Sequence, residues 1–292
     1  MGKMIRLLMI AMTLLLTACQ TAGSEESPSS PSIYIENKGS DTMVNLALAW
    51  AETYQALHPE LSLSVTGGGS GTGIAALINN TVGIANASRR IKQEEIDEAK
   101  ANGITPVEFT VASDAIGIIV NRDNPVDRLT LGQLADIFTG RIDNWSEVGG
   151  DDLEIVRLSR ETNSGTHVYF LETVIRLGSK ENSDIFSRDT LLLPSSEGII
   201  AEVRDNPHAI GYDGLGYITD EVKVIAVAPD ESSPYILPSV ATVNDGSYPI
   251  ARDLYMYTPG EPSTIVKAYI EWILSPEGQE IVLTLGFVPI IQ

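Results

Sequence analysis

The chain has 292 residues, of which 43% are hydrophobic and 20% are charged, as expected for a globular protein with a substantial core. A formal net charge of −20 disfavours nucleic acid and anionic lipid headgroups as partners, because the surface repels them. The chain has one cysteine, which excludes a disulfide within the chain and a metal site built from several thiolates.

The N-terminal segment has the pattern of a secretory signal. Lys3 and Arg6 precede twelve mostly apolar residues, Leu7 to Ala18, which cannot cross a bilayer because a membrane helix needs about 20 residues. The segment ends in "LTAC", residues 16–19, which resembles the lipobox of bacterial lipoproteins and implies a signal peptide over 1–18 and a lipid on Cys19. Residues 19–32 are polar and are predicted to form a flexible tether. An ordinary signal with an incidental cysteine is the alternative.

The remaining chain alternates strand and helix patterns. Apolar residues at helical spacing predict a helix from Thr42 to Leu57, ended by Pro59. "LSLSVT" alternates like a half-buried strand, and "IAALINN" and "RRIKQEEIDEAKANG" follow as helices. Further along, "VEFTVASDAIGIIVN", "EIVRL" and "DLYMYT" are predicted strands, whereas "TLGQLADIFTG", "EGIIAEVRDN" and "PSTIVKAYIEWIL" are predicted helices. The pattern predicts an α/β fold, and its length of about 260 residues after the tether suggests two lobes.

Residues suited to binding an anion collect at predicted joints between a strand and a helix. The four joints are Ser40-Asp41-Thr42, Ser70-Gly71-Thr72, Ser88-Arg89, and Ser164-Gly165-Thr166 preceded by Arg160. Backbone N–H groups at a helix start favour an anion, glycine allows close approach, and a guanidinium suits oxygens bound to phosphorus or sulfur. Parallel strands share one carboxyl edge, so the joints can face one crevice. The pattern therefore predicts an oxyanion pocket.

Each of these joints also has a simpler interpretation. Serine, threonine and aspartate at a helix start are commonly caps without a ligand. Arg160 alone is compatible with a surface ion pair, and Arg89 beside Arg90 with a solvated face. "GGGSGTG" matches neither a P-loop, a G-x-G-x-x-G fingerprint nor a G-x-S-x-G elbow. The individual motifs are therefore weak signals.

The order of the motifs along the chain is more specific. "GSDTM", "GGGSGTGIAALINNTVGIANASR", "TLGQLADIFTGRIDNW", "SRETNSGT", "EGIIAEVRDNPHAIGYDGLGY" and "YIEWILSPEGQEIV" together resemble the phosphate-binding lipoproteins of Pst-type ABC importers. The resemblance implies a two-lobed α/β fold of the type II periplasmic-binding-protein kind, with mixed, mostly parallel sheets flanked by helices and the ligand in the cleft. The first lobe would comprise 33–112 plus 248–292, and the second 113–247.

The resemblance also implies a set of phosphate-contacting residues. They are Ser40, Thr42, Ser70, Ser88, Arg89, Arg160, Ser164, Gly165 and Thr166. Many family members have an aspartate at the position of Arg89, where it accepts a proton from phosphate, and another branch resembles this chain in having arginine there. We hypothesise that Asp41 accepts that proton here. The alternative is that Asp41 only caps its helix and faces away.

The function that the resemblance implies is capture of inorganic phosphate and its delivery to the membrane subunits of an ABC permease, without a reaction and without a cofactor. A lipid on Cys19 would hold the protein at the membrane, in the periplasm or on the outer cell surface. A monomer is expected. No histidine and carboxylate cluster has the spacing of metal ligands.

Three alternatives differ in class. The scaffold could bind another oxyanion, such as sulfate, molybdate or tungstate. His167 directly follows the Ser-Gly-Thr triplet, so a phosphatase or hydrolase using Ser164 or Ser70 is conceivable, although a nucleophile and its base on one short turn rarely face each other. The third alternative is a surface sensor or adhesin that retains the fold.

Overall fold

The computed structural model describes residues 33–290. The predicted signal peptide (1–18), Cys19 and the tether (19–32) therefore lie outside the described residues. The strands, in chain order from β1 to β10, are Ile33–Gly39, Leu61–Thr66, Ile84–Ala87, Val107–Val120, Arg128–Thr130, Val156–Arg160, Leu191–Leu193, Ala209–Gly214, Lys223–Ala228 and Ala251–Thr258. The α-helices, from α1 to α9, are Val44–Leu57, Ser70–Ile78, Gln93–Ala101, Leu131–Thr139, Gly165–Phe170, Ser196–Asp205, Val240–Asn244, Thr264–Ile273 and Pro276–Thr284.

The predicted elements of the first part of the chain are confirmed. Strand β2 buries Leu61 and Leu63, the apolar residues of its alternating pattern. Helix α1 buries a stripe that includes Leu46, Trp50 and Tyr54, as its helical spacing predicts. The indole of Trp50 donates a hydrogen bond of 2.8 Å to the carbonyl of Gly278, so the C-terminal helix α9 packs against α1.

The third predicted helix begins later than its sequence pattern indicates. Strand β3 ends at Ala87, and α3 begins only at Gln93. The cause is a local cap, because the Lys92 N–H donates to the Glu95 carboxylate at 2.8 Å. Residues 88–92 therefore form an irregular connection, and the prediction that Ser88-Arg89 opens a helix is wrong.

The strands form one mixed sheet. Its order is β2-β1-β3-β10-β4-β8-β6-β7, and β9 pairs with both β4 and β5. β1 is parallel to β2 and β3, and β6 is parallel to β7 and β8, whereas β10 and β4 pair with their neighbours in antiparallel fashion. The segments that follow β1 and β6 meet across this sheet, because the hydroxyls of Thr42 and Thr166 lie 2.8 Å apart.

The buried apolar residues of the described chain form four clusters, and the two largest, which we call the first and the second core, lie along different stretches of β4. The first core includes Trp50 of α1 and Tyr269 of α8, whereas the second includes Phe138 of α4 and Phe170 of α5. The long strand β4 contributes Ala112 to the first core and then Ile116 and Ile118 to the second. The fold therefore has two lobes, which we call the first lobe and the second lobe after these cores. None of the helices within residues 33–290 is long and apolar enough to cross a membrane.

Candidate anion-binding site

The first predicted joint lies between β1 and α1, in a 3₁₀ turn over Asp41–Met43. Ser40 and Thr42 are both buried. The Ser40 hydroxyl has no hydrogen-bond partner within the protein, while the hydroxyls of Thr42 and Thr166 lie 2.8 Å apart. This contact joins the first predicted joint to the fourth, 124 residues away in the chain. A buried hydroxyl without a partner is costly, so Ser40 is suited to a ligand.

The second and third joints meet through two serines. Gly69 precedes α2 with φ of +93°, a conformation that favours glycine, and this turn places Ser70 at the helix start. The Ser70 hydroxyl accepts a hydrogen bond of 3.0 Å from the Ser88 N–H, and the two hydroxyls lie 3.2 Å apart. Both serines are buried. Although Ser88 does not open a helix, the structure brings it to the predicted place.

The fourth joint approaches these serines at contact distance. A Cβ atom added to Gly165 would lie 2.3 Å from the Ser70 hydroxyl and 2.5 Å from the Ser88 hydroxyl. Glycine is therefore required where α5 of the second lobe meets the first lobe. Ser164 caps α5 by accepting a 3.2 Å hydrogen bond from the Thr166 N–H, which leaves the Ser164 proton as a donor. Capping and ligand contact are thus compatible at Ser164.

Arg160 is 1% exposed, so its interpretation as part of a surface ion pair is wrong. Its guanidinium donates to Ser196 at 2.8 Å, to the Asp41 carboxylate at 2.7 Å and to the Pro194 carbonyl at 2.9 Å. The Arg160 Nε–H is buried without a partner in the protein. Because a guanidinium has five N–H groups, these three bonds leave two donors for a ligand.

Asp41 does not cap its own helix. Its carboxylate accepts from Arg160 and, at 3.3 Å, from the Ser196 N–H, both in the second lobe. The alternative in which Asp41 faces away is therefore wrong. Its predicted role as a proton acceptor stays a prediction, and the structure places it beside the cation of the site.

The terminal nitrogens of Arg89 pair with a carboxylate of α3, while its Nε–H is buried without a partner in the protein. Its two terminal nitrogens donate to the Glu95 carboxylate at 2.8 Å and 2.6 Å, which is the bidentate geometry of a strong ion pair. Glu95 also caps α3, so one carboxylate fixes both the helix start and the arginine. Local pairing six residues along the chain thus competes with the predicted anion contact of Arg89.

The structure adds a second arginine that the sequence reasoning missed. Arg252 of β10 donates to the Thr166 hydroxyl at 2.9 Å and to the Ser88 carbonyl at 2.9 Å, and it pairs with Asp114 of β4 at 2.9 Å. The isolated Asp114 in the apolar strand "VASDAIGIIV", together with Arg252 at the start of the apolar strand "ARDLYMYT", is the signal that could have revealed this buried pair.

Two carboxylates beside these arginines are fully buried. Burial raises the pKa of Asp114, although Arg252 acts in the opposite direction. Burial likewise raises the pKa of Asp213 to about 6, against the attraction of Arg160. Asp213 accepts from the Ser196 hydroxyl at 2.9 Å, and its second oxygen, 3.9 Å from Arg160, has no hydrogen-bond partner in the protein. The cluster therefore contains buried charges of both signs.

His167 is not placed to activate a serine of the site. Its Nδ1 lies 3.0 Å from the Ser159 hydroxyl, and its ring stacks on Phe186. Burial lowers the pKa of His167. Ser159 in turn lies 2.6 Å from the Tyr212 hydroxyl, so this network belongs to the second core. Within residues 33–290 no group of histidine, cysteine and carboxylate side chains could hold a metal ion.

We call the hydroxyls of the four joints, which belong to Ser40, Thr42, Ser70, Ser88, Ser164 and Thr166, the hydroxyl cluster. A surface pocket of about 430 Å³ lies beside it and is lined in part by Arg89 and Arg252. Its lining also includes Glu172 and Asp253, and none of the hydroxyls of the four joints lines it. The pocket is larger than a small oxyanion needs. We therefore assign the candidate site to the hydroxyl cluster.

The fold and the site define a class of protein. Two α/β lobes, joined by long crossing strands, enclose a polar site built from the segments that follow their strands, which is the architecture of two-lobed solute-binding proteins.

Comparison with known proteins identifies the family within this class. A sequence model described as the PBP superfamily domain matches residues 24–277. The chain is 32% identical to the phosphate-binding protein PstS of Bacillus subtilis, over 97% of this chain and 92% of that protein. It is 30% identical to PstS of Pseudomonas aeruginosa, over 88% of this chain and 83% of that protein. The chain therefore belongs to the PBP superfamily and, within it, to the PstS family of phosphate-binding proteins.

A solved structure agrees with this membership. A protein from Clostridium perfringens, described as a phosphate ABC transporter substrate-binding protein and crystallised with bound phosphate, superposes with a TM-score of 0.78 at 32% identity. The match covers 88% of this chain and all of that one. The type II binding-protein fold expected from the sequence is confirmed.

Proposed function

We propose that the protein captures inorganic phosphate between its two lobes and delivers it to an ABC-type importer. The observation that carries the proposal is that the four joints contact one another and that Arg160 pairs with Asp41 of the first joint, while the Ser40 hydroxyl and the Arg160 Nε–H are buried without partners in the protein. Donors of this kind match the oxygens of phosphate, and the named relatives are phosphate-binding proteins. No chemical step and no cofactor is part of this function.

The proposed phosphate ligands combine both lobes. They are Ser40, Thr42, Ser70 and Ser88 of the first lobe and Arg160, Ser164, Gly165 and Thr166 of the second. Glu95 engages both terminal nitrogens of Arg89, so the donors that Arg89 retains for a ligand are its backbone N–H and its Nε–H, which is buried without a partner in the protein. Phosphate would lie among these groups at the start of α5, whose first N–H groups favour an anion.

The lobe boundaries follow from the two cores. We propose that 33–112 and 248–292 form the first lobe and that 113–247 form the second. The packing of Trp50 against Gly278 supports the placement of the C-terminal segment in the first lobe. Ala112 and Ala115 belong to different cores, which supports the first boundary.

Closure of the lobes explains how a permease can distinguish the phosphate-bound protein from the empty one. The lobes touch through the Thr42–Thr166 contact and through Asn163, whose carbonyl accepts from the Gly71 N–H at 3.0 Å. A closed, loaded surface differs from an open one, so a permease can recognise it. A lipid on Cys19 would keep the protein outside the cytoplasm and near that permease.

Calorimetry on the mature chain with Cys19→Ala, which cannot be lipidated, tests the proposal. Titration with phosphate, sulfate, molybdate and tungstate is expected to give a dissociation constant of about 1 μM or below for phosphate, near −8 kcal/mol, and at least hundredfold weaker binding of the others. Tighter binding of another oxyanion, or no binding of phosphate, would overturn the proposal.

A further inference from the structure

A buried ion pair between Arg252 and Asp114 lies where the lobes join. The two residues face each other on β10 and β4, the antiparallel strands that pass from one lobe to the other. Asp114 lies between Ala112 of the first core and Ala115 of the second. On β10, Arg252 comes shortly before Leu254 of the first core. The pair therefore occupies the crossing point of both connecting strands.

The Arg252 guanidinium contacts both lobes at the candidate site. One terminal nitrogen donates to the Ser88 carbonyl of the first lobe at 2.9 Å, and the other donates to the Thr166 hydroxyl of the second lobe at 2.9 Å. The Nε and the second terminal nitrogen donate to the same oxygen of Asp114, at 3.3 Å and 2.9 Å. Arg252 is 6% exposed, so these bonds are largely shielded from bulk water.

The donors of Arg252 are nearly all used within the protein. A guanidinium has five N–H groups, and four of them take part in these bonds. Because arginine has no acceptor, the Thr166 hydroxyl must accept from it, and its own proton is then directed to Thr42 or to a bound anion. Arg252 thus orients a hydroxyl of the site and leaves the main cationic contact to Arg160.

We infer that Arg252 is a positioning residue that couples phosphate capture to closure of the lobes. The inference rests on the proposed function, since phosphate is the anion whose capture it would couple. The bond to the Ser88 carbonyl lies within the first lobe, whereas the bond to the Thr166 hydroxyl forms only when the lobes are in contact. The Thr166 bond therefore belongs to the closed form, and its loss shifts the equilibrium towards the open form. The Asp114 carboxylate holds the guanidinium in place for both bonds.

The test compares Arg252→Lys with Arg157→Lys in the mature chain with Cys19→Ala. Lysine keeps a cation beside Asp114 but has one nitrogen in place of the two that donate separately to Ser88 and Thr166. Arg157 is a matched control, because it is 5% exposed, lies on β6 and donates to backbone carbonyls within the second lobe. Stopped-flow kinetics give the association and release rates of phosphate. Spin labels at Glu98→Cys and Glu202→Cys, on exposed positions of α3 and α6, give the distance between lobes.

Arg252→Lys is expected to raise the phosphate release rate at least tenfold while changing the association rate less than threefold. The population at the closed-form distance should fall, with and without phosphate, and Arg157→Lys should leave both readouts unchanged. Wild-type release and an unchanged distance distribution in Arg252→Lys would overturn the inference. If that variant does not fold, the double variant D114N/R252Q, which removes both charges, carries the same expectation and the same criterion.

Failure of the proposed function is distinguishable from failure of this inference. If the wild-type chain does not bind phosphate in these experiments, the proposed ligand is wrong. The distances measured without ligand still decide whether Arg252 holds the lobes together, since they need no phosphate. An equal closed population in ligand-free wild type and Arg252→Lys would contradict the positioning role on its own.

Discussion

Replacing Arg160 by alanine removes the main cation from the proposed phosphate site. In the structure, three of the five guanidinium N–H groups bond to protein, so two remain for phosphate. Two charge-assisted hydrogen bonds contribute roughly 1.5–3 kcal/mol each. Their loss predicts a phosphate affinity that is weaker by a factor of about 100 or more, since each 1.4 kcal/mol is tenfold. The substitution also leaves Asp41 and Asp213 without their cation, which further disfavours an anion.

The measurement is calorimetric titration of Arg160→Ala and Arg160→Lys with phosphate, with the melting temperature recorded for each variant. Arg157→Ala is the matched control, because Arg157 is also buried on β6 but donates to backbone carbonyls away from the site. The lysine variant should retain part of the affinity, since it keeps a charge but loses the planar fork. A change below threefold in a folded Arg160→Ala would refute the assignment of Arg160 as a phosphate ligand.

Three further predictions concern residues around the same site. Gly165→Ala should weaken phosphate binding at least tenfold, because the added Cβ would lie 2.3 Å from a serine hydroxyl of the first lobe. The control Gly132→Ala, where the nearest atom to the added Cβ is 3.8 Å away, should leave the affinity unchanged. Equal affinities of the two variants in calorimetry would count against the close approach of the lobes. Asp41→Asn should reduce the preference for phosphate over sulfate if Asp41 accepts the phosphate proton, and an unchanged preference in the oxyanion titrations would eliminate that role. The folded-state pKa of Asp213 is raised to about 6, so the ligand-free folded chain binds a proton more tightly than the unfolded chain, and stability should fall as pH rises from about 4 to about 6. Asp213→Asn should lose that contribution, at most about 3 kcal/mol, and parallel denaturation profiles of variant and wild type between these pH values would contradict it.

Local features of the sequence predict most of the fold and many of the site residues. Ser164 is recognisable because a serine before Gly-Thr and an apolar helix is a local capping signal, and the structure confirms the cap. Gly165 of that triplet is also recognisable, because glycine is the residue that allows close approach at a helix start. Such local rules predict which joints carry donors.

Contacts between distant strands could not be predicted in this way. The partners Asp114 and Arg252 are 138 residues apart, and their pairing depends on the antiparallel register of β4 and β10. The sequence motif also did not predict that Arg89 pairs with Glu95, only six residues away, which uses both terminal nitrogens of the arginine. A sequence motif indicates that an arginine is present near the site, but the register of the sheet decides which arginine reaches it.

The central claim is that hydroxyls and one guanidinium from both lobes enclose a phosphate ion. A crystal structure of the mature chain grown with phosphate tests it most directly. We expect phosphate within hydrogen-bond distance of the Ser40 hydroxyl and the Arg160 Nε–H, which are two of the buried donors without partners in the protein. Phosphate bound at another place, or an Arg160 side chain turned towards bulk solvent, would show that the proposed phosphate site is wrong.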